Sequence, residues 1–182
     1  AGFEALLVWN HPRSGTLPPA QFIPVAEDSG MIAPIGAWAL AEACRQAAAW
    51  RTHGHGVRLA VNVSPTQFSR PDFVESVAQA LAESGLDPEA LELEMTEGVV
   101  MRDLEEAVRR MERLRALGVG ISIDDFGTGY SSLSYLRRLP VNALKIDRSF
   151  LVELDRDPNT IPLLGAIVAL AHGLGLKVVA EG

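Results

Sequence analysis

"ISIDDFGTGYSSL", residues 121–133, decides how this chain is read. Ile121, Ser122 and Ile123 alternate as a strand does, and then two adjacent carboxylates, Asp124 and Asp125, end the apolar run. Phe126-Gly127-Thr128-Gly129 leads away into a loop. Ionised groups at the mouth of a core lose their water and need positive partners, which the chain must supply or recruit.

Outward from this stretch the sequence alternates strand and helix. Strands are predicted over 3–9 (FEALLVW), 57–64, 91–97, 119–124, 142–147 and 176–182. Helices are predicted over 18–30, 36–54, 70–85, 103–118, from about Ser131, and over 161–173. The clearest is 103–118, where Leu104, Ala107, Val108, Met111 and Leu114 form one apolar stripe, with Glu105–Arg109 and Glu106–Arg110 spaced as i,i+4 pairs outside it. Strands separated by helices imply βαβ units and a parallel sheet in one domain, with a doubly wound sheet and a (β/α)8 barrel both open. Side-chain parity favours the barrel. Leu91, Leu93 and Met95, Ile121 and Ile123, and Leu144 and Ile146 share one parity, while Glu92, Glu94 and Thr96, Ser122 and Asp124, and Lys145 and Asp147 share the other. Helices on both faces of an open sheet would leave no place for an acidic face. A barrel with helices outside and a functional interior has one, and its active site lies at the C-terminal strand ends. The fold class is therefore α/β, a TIM-like barrel of which six strands are present.

Glu4, Asn62, Glu94, Asp124, Asp125 and Glu181 then converge on one mouth together with Lys145. One lysine cannot neutralise so many carboxylates, so divalent metal is expected to supply the rest. With no His or Cys at these strand ends the ligands are oxygens, which selects Mg²⁺ or Mn²⁺, with Ca²⁺ as a competitor. Asp124 and Asp125 stand where the alternation breaks, so both can face the site and serve two ions. Such a centre suits hydrolysis of a phosphodiester by an activated water. A net charge of −7 over 182 residues argues against a protein that coats DNA or RNA duplexes. The lone cysteine, Cys44, excludes a disulfide framework and a thiolate metal site, in keeping with a cytoplasmic setting. No stretch is long and apolar enough for membrane contact by this segment, although an anchor could lie upstream. His11, His53, His55 and His172 are read as structural or exposed, and Trp38, Trp50 and Cys44 as helix packing.

The stretches "EAL" (4–6), "NHP" (10–12), "FIPVAEDSG" (22–30), "VNVSPTQF" (61–68), "LELEMTE" (91–97), "DDFGTGYSSL" (124–133), "LPVNALKIDRSF" (139–150) and "AEG" (180–182) together resemble the EAL family of cyclic di-GMP phosphodiesterase domains, in order and over essentially the whole chain. The resemblance implies a modified (β/α)8 barrel that opens cyclic di-GMP to linear pGpG. It implies Glu4, Asn62, Glu94 and Asp124 as ligands of a first metal, and Asp124 and Asp125, with Glu181 nearby, at a second. Lys145 is similar to the lysine that orients and activates the attacking water, with Asp147 the acid beside it. Glu97 matches a glutamate that steadies the loop after "DDFG", and that loop and its helix are implicated in homodimerisation. Sensor or cyclase-like domains are expected upstream.

The chain departs from the family at two points. Val8 stands where active members usually carry an arginine that contacts substrate phosphate, and valine cannot donate those hydrogen bonds. This keeps open a receptor that binds cyclic di-GMP without turnover. An enolase-type barrel enzyme, which also uses strand-end acids and a lysine, and an inert fragment are further alternatives, the first disfavoured by "DDFGTGYSSL". Against the family pattern, the chain also lacks the leading strand and everything after "AEG", whereas about 250 residues is typical of such barrels. Residues 1–182 expressed alone are expected to be poorly soluble or oligomeric and nearly inactive, because free strand edges pair with other chains. Size-exclusion chromatography beside a version extended at both ends checks this; a monomeric short form with the longer form's activity would contradict it.

Overall fold

Leu93, Met95, Ile121, Ile123 and Leu144 are wholly buried, while the residues between them along the same strands are Glu94, Ser122, Asp124 and Lys145. That alternation is built into one parallel sheet. The computed structural model of the chain describes residues 2–101, 103–127, 133–153, 157–158 and 160–180. Its strands are β1 (Gly2–Ala5), β4 (Arg58–Asn62), β5 (Leu91–Thr96), β6 (Gly120–Phe126), β7 (Ala143–Ile146) and β8 (Lys177–Ala180), hydrogen-bonded in that order. All five neighbouring pairs are parallel, and β1 and β8 form the edges of the described sheet. An antiparallel hairpin of β2 (Trp9–His11) and β3 (Gly15–Leu17) follows β1. The architecture is that of an incomplete TIM-like barrel.

The helices cover the apolar parity. α1 (Pro19–Asp28) carries Pro at its first turn, where the missing N–H costs nothing. α2 (Ile32–Thr52) packs on β4 and buries Leu40, Cys44 and Ala47. α3 (Pro65–Phe68) is capped by the Ser64 hydroxyl. α4 (Phe73–Ser84) stops at Gly85, whose φ of 67° needs a residue without Cβ. α5 (Glu97–Met101) follows β5 without a break. α6 (Leu104–Ala116) starts where the Asp103 carboxylate accepts the Glu106 N–H, and buries Ala107, Met111 and Leu114. Glu106 pairs with both Arg109 and Arg110, so one carboxylate takes both expected arginines. α7 (Leu133–Leu136), α8 (Arg148–Glu153) and α9 (Thr160–Gly173) complete the set.

The predicted first strand is too long: β1 ends at Ala5, and Leu6 and Val8 lie beyond it rather than on a strand face with Glu4. The next residues turn into the hairpin instead, which frees Val8 to be largely exposed. β6 runs past the expected end at Asp124 to Phe126, so that Asp125 lies within it as well. Trp38 is exposed rather than packed, and Trp50 is only partly covered, with its ring against Phe3.

Gly127 closes β6 at φ +97°, and a Cβ there would lie 2.7 Å from the Phe150 ring of α8. Gly127→Ala combines left-handed strain with a collision, and is expected to cost roughly 2–3 kcal/mol. Urea denaturation measures it; a loss under about 0.5 kcal/mol would show that the Phe150 ring yields freely.

Candidate active site

The opening question, why two carboxylates stand side by side, has a backbone answer. Between Ile123, level with Leu144, and Phe126, level with Ile146, β6 sets two residues, Asp124 and Asp125, against the single Lys145 of β7. This is a β-bulge, a device that re-aims side chains at sheet ends. Its extra residue is Asp125, at φ 52°, the only non-glycine with positive φ among the described residues. Aspartate tolerates that region better than most residues. The Asp125 N–H donates to Asp124 Oδ1 at 2.9 Å, which steadies the turn. The bulge breaks the alternation that would otherwise send Asp125 to the helix-covered face.

Below the bulge lies the buried centre of the site. Lys145, in β7, donates from Nζ to Glu94 Oε2 at 2.6 Å and lies 3.6 Å from Asp124 Oδ1. Lys145 and Glu94 are almost fully buried, at 5% and 4% exposure. Burial pushes the Glu94 carboxyl up to about 7; the Lys145 hydrogen bond and charge oppose this, and the charges of Glu4 and Asp124 add to it. One ammonium thus falls short of what this group of acids needs.

Glu4 and Asn62 form a second pair at the open edge, with Asn62 Nδ2 donating to Glu4 Oε1 at 2.7 Å. Strand register sets Asn62 level with Glu94, and Glu94 level with Ser122. Glu4 is level with Ala60, and Ala60 with Glu92. Glu4 and Glu92 therefore start from the same height, and what separates them is that Glu4 reaches Asn62.

Asp147 follows β7 directly, and its carboxylate accepts the Ser149 N–H at 2.9 Å. Hydrogen bonds from Ser149, with Asp125 contributing, hold its carboxyl below the usual range. Asp147 is thus linked to the bulge. Glu97, at the start of α5, is buried and accepts a hydrogen bond from the Tyr135 hydroxyl. Glu181 lies outside the described residues.

Among the described residues no three Asp, Glu, His or Cys side chains are gathered around one point. The acids stand instead as Glu4–Asn62 and Glu94–Lys145–Asp124. The donor chemistry nevertheless fits a hard divalent cation: the Glu94 carboxyl is short of positive charge, and Asn62, having given its N–H to Glu4, keeps its amide oxygen for a ligand. A cavity of about 570 Å³ wraps the β1 edge and meets this group at Glu4 and Asn62, with Thr96 nearby; Val8, Trp38 and Trp50 line it further out. Sequence reasoning missed Tyr135, although the buried Glu97 required a donor and Tyr135 lies in the quoted motif's own helix.

The EAL domain family model matches residues 1–182, and the chain belongs to that family. It is 52% identical over 182 residues to the bifunctional diguanylate cyclase/cyclic di-GMP phosphodiesterase MucR of Pseudomonas aeruginosa, covering all of this chain and 27% of that protein. It is 47% identical over 180 residues to the cyclic di-GMP phosphodiesterase NbdA of the same organism, covering 98% of this chain and 23% of NbdA. Its fold matches the PaMucR phosphodiesterase in complex with c-di-GMP at a TM-score of 0.95 and 52% identity, covering all of this chain and 74% of that one. The chain thus spans about a quarter of the length of these curated relatives.

Removing the lysine charge while Glu94 stays buried leaves an uncompensated carboxylate. Lys145→Met is expected to cost about 3 kcal/mol or more, with Glu94→Gln in the same chain recovering part of it. Denaturant titration of the single and double variants reads this; a single-variant loss below about 1 kcal/mol would contradict the pairing.

Proposed function

We propose that this domain hydrolyses cyclic di-GMP to linear pGpG with two divalent cations, Mg²⁺ or Mn²⁺. The observation that carries the reading is the bulge. It sets Asp124 and Asp125 side by side next to a buried lysine–glutamate pair, in a chain half identical to a cyclic di-GMP phosphodiesterase. Glu4, Asn62, Glu94 and Asp124 would hold the first ion, and Asp124 and Asp125, with Glu181, the second. When bound, such ions lower the pKa of a water and offset phosphate charge.

The chain's own residues do the rest. Lys145 is fixed by Glu94, so its ammonium is a directed donor for the attacking oxygen or the phosphate rather than a wandering charge. Asp147, held ionised by Ser149, accepts hydrogen bonds beside it. Glu97, as the family resemblance implies, would steady the loop after the aspartates. Phosphodiesterase activity rather than binding alone is favoured because no member of the described set is replaced. Val8, exposed at the cavity, would weaken the grip on substrate without touching this machinery.

The reading extends to a homodimer through the loop and helix after Asp125, to Ca²⁺ as an inhibitor, and to sensor or cyclase-like neighbours in a cytoplasmic protein. No described helix is long and apolar enough to cross a membrane.

Turnover of cyclic di-GMP by the full-length protein, followed by chromatography of pGpG, tests the proposal. Excess chelator or Ca²⁺ is expected to stop it, and Glu4→Ala or Asp124→Ala to lower the rate at least about 10²-fold. Glu92→Ala should stay close to wild type. Turnover that survives chelation would sink the metal assignment, and an equal loss at Glu92 would sink the site's boundary.

A further inference from the structure

We infer that Phe150 is a positioning residue for the aspartate pair. Its ring leaves room only for a glycine at position 127, and so holds β6 in the bulged register that sets Asp125 beside Asp124. The inference rests on the reading that these two aspartates hold divalent cations. The bulge needs a cause, because Asp125 has a φ of 52°, a conformation that costs on its own and persists only where its surroundings enforce it. A regular β6 would avoid it by setting Asp124 level with Lys145 and Asp125 level with Ile146.

Two contacts forbid that regular register. The first is made by Phe126, which is level with Ile146 and 2% exposed. Its place would fall to Asp125, putting a carboxylate into an apolar layer. The second is made by the Phe150 ring of α8. A Cβ at position 127 would lie 2.7 Å from Phe150 Cζ and 2.8 Å from Cε2, and 3.9 Å from Ile167 of α9. In the regular register every residue after Asp124 sits one place further along the sheet, so Phe126 would stand where Gly127 stands now. Phe126 carries a Cβ, and the ring leaves no room for it. Glycine arrives under the ring only when β6 has taken up one extra residue. With Phe126 held level with Ile146, that residue must lie between Ile123 and Phe126, which leaves Asp124 and Asp125. The chain entering α8 also meets the bulge directly, since Asp147 is hydrogen-bonded both to the Ser149 N–H and to Asp125. A metal ligand misplaced by about an ångström forfeits much of its value, so a lock on the register is also a lock on the cation site.

The test uses the full-length protein. Phe150→Leu keeps a branched apolar side chain and removes the ring carbons that close the slot. In metal-free crystals of this variant, Asp125 is expected to leave its left-handed conformation or to show a second one. Asp125 in the wild-type conformation alone overturns the inference. In solution, bound Mn²⁺ is counted from the free-ion electron paramagnetic resonance signal, without substrate. Phe150→Leu is expected to weaken Mn²⁺ binding five-fold or more, while Val152→Ala, at an exposed position of the same helix, leaves it unchanged. A merely structural phenylalanine would lower the melting temperature and leave the Mn²⁺ affinity alone, and that result overturns the inference; so does an equal loss at Val152. Gly127→Ala should weaken Mn²⁺ binding more in the wild type than in the Phe150→Leu background, because the two positions share one contact. Equal losses in both backgrounds count against the lock. A wild type that binds no Mn²⁺ sinks the cation reading instead, and the metal-free crystals still decide whether Phe150 sets the register.

Discussion

The ammonium of Lys145, set between Glu94 and Asp124 at 2.6 and 3.6 Å, is the constraint around which the rest of the site is arranged. Buried carboxylates cost several kcal/mol each unless they are paired, and the barrel interior buries Glu94 almost fully. The lysine offsets part of that cost. It comes from β7 while the acids come from β5 and β6, so the pairing also links three neighbouring strands. Burial first, and then the neighbouring charges of Glu4 and Asp124, push the Glu94 carboxyl up against the pull of the lysine, and a bound cation would offset both. Stability and function draw on the same imbalance.

The bulge at Asp124–Asp125 is the second device, and it acts on geometry rather than charge. A regular strand would place one aspartate in the barrel and bury the other under helices. One extra residue at φ 52° prevents this, and two residues on the chain is packed tightly, Gly127 against the Phe150 ring. Backbone strain at the site thus sits directly beside a close packing contact.

Much of this was legible in the sequence because parity is a strong signal. Leu91, Leu93 and Met95 against Glu92, Glu94 and Thr96 announce a sheet with one helix-covered face and one acidic face, and register confirms it. The pairing of Lys145 with the acids followed from that same parity. The early chain was less legible. "FEALLVW" looks like one strand because its apolar residues run on, yet the hairpin of β2 and β3 ends it at Ala5, a decision made by later residues through tertiary pairing. Short helices such as α5 and α8 carry too few residues to show a period. Strand height alone could not separate Glu4 from Glu92, since that depends on which side chain meets Asn62. Tyr135 was missed because a tyrosine two residues past a loop reads as core until its hydroxyl is seen on a carboxylate.

The central claim is that the acids around Lys145 form a cation site of which the lysine fills only part. Anomalous diffraction from crystals of the full-length protein grown with Mn²⁺ tests it most directly. The account predicts Mn²⁺ peaks ligated by Glu4, Asn62, Glu94 and Asp124, with Asp124 and Asp125 meeting at a second ion. A map with no manganese at these residues, and with Lys145 still bridging Glu94 and Asp124 unaided, would contradict it.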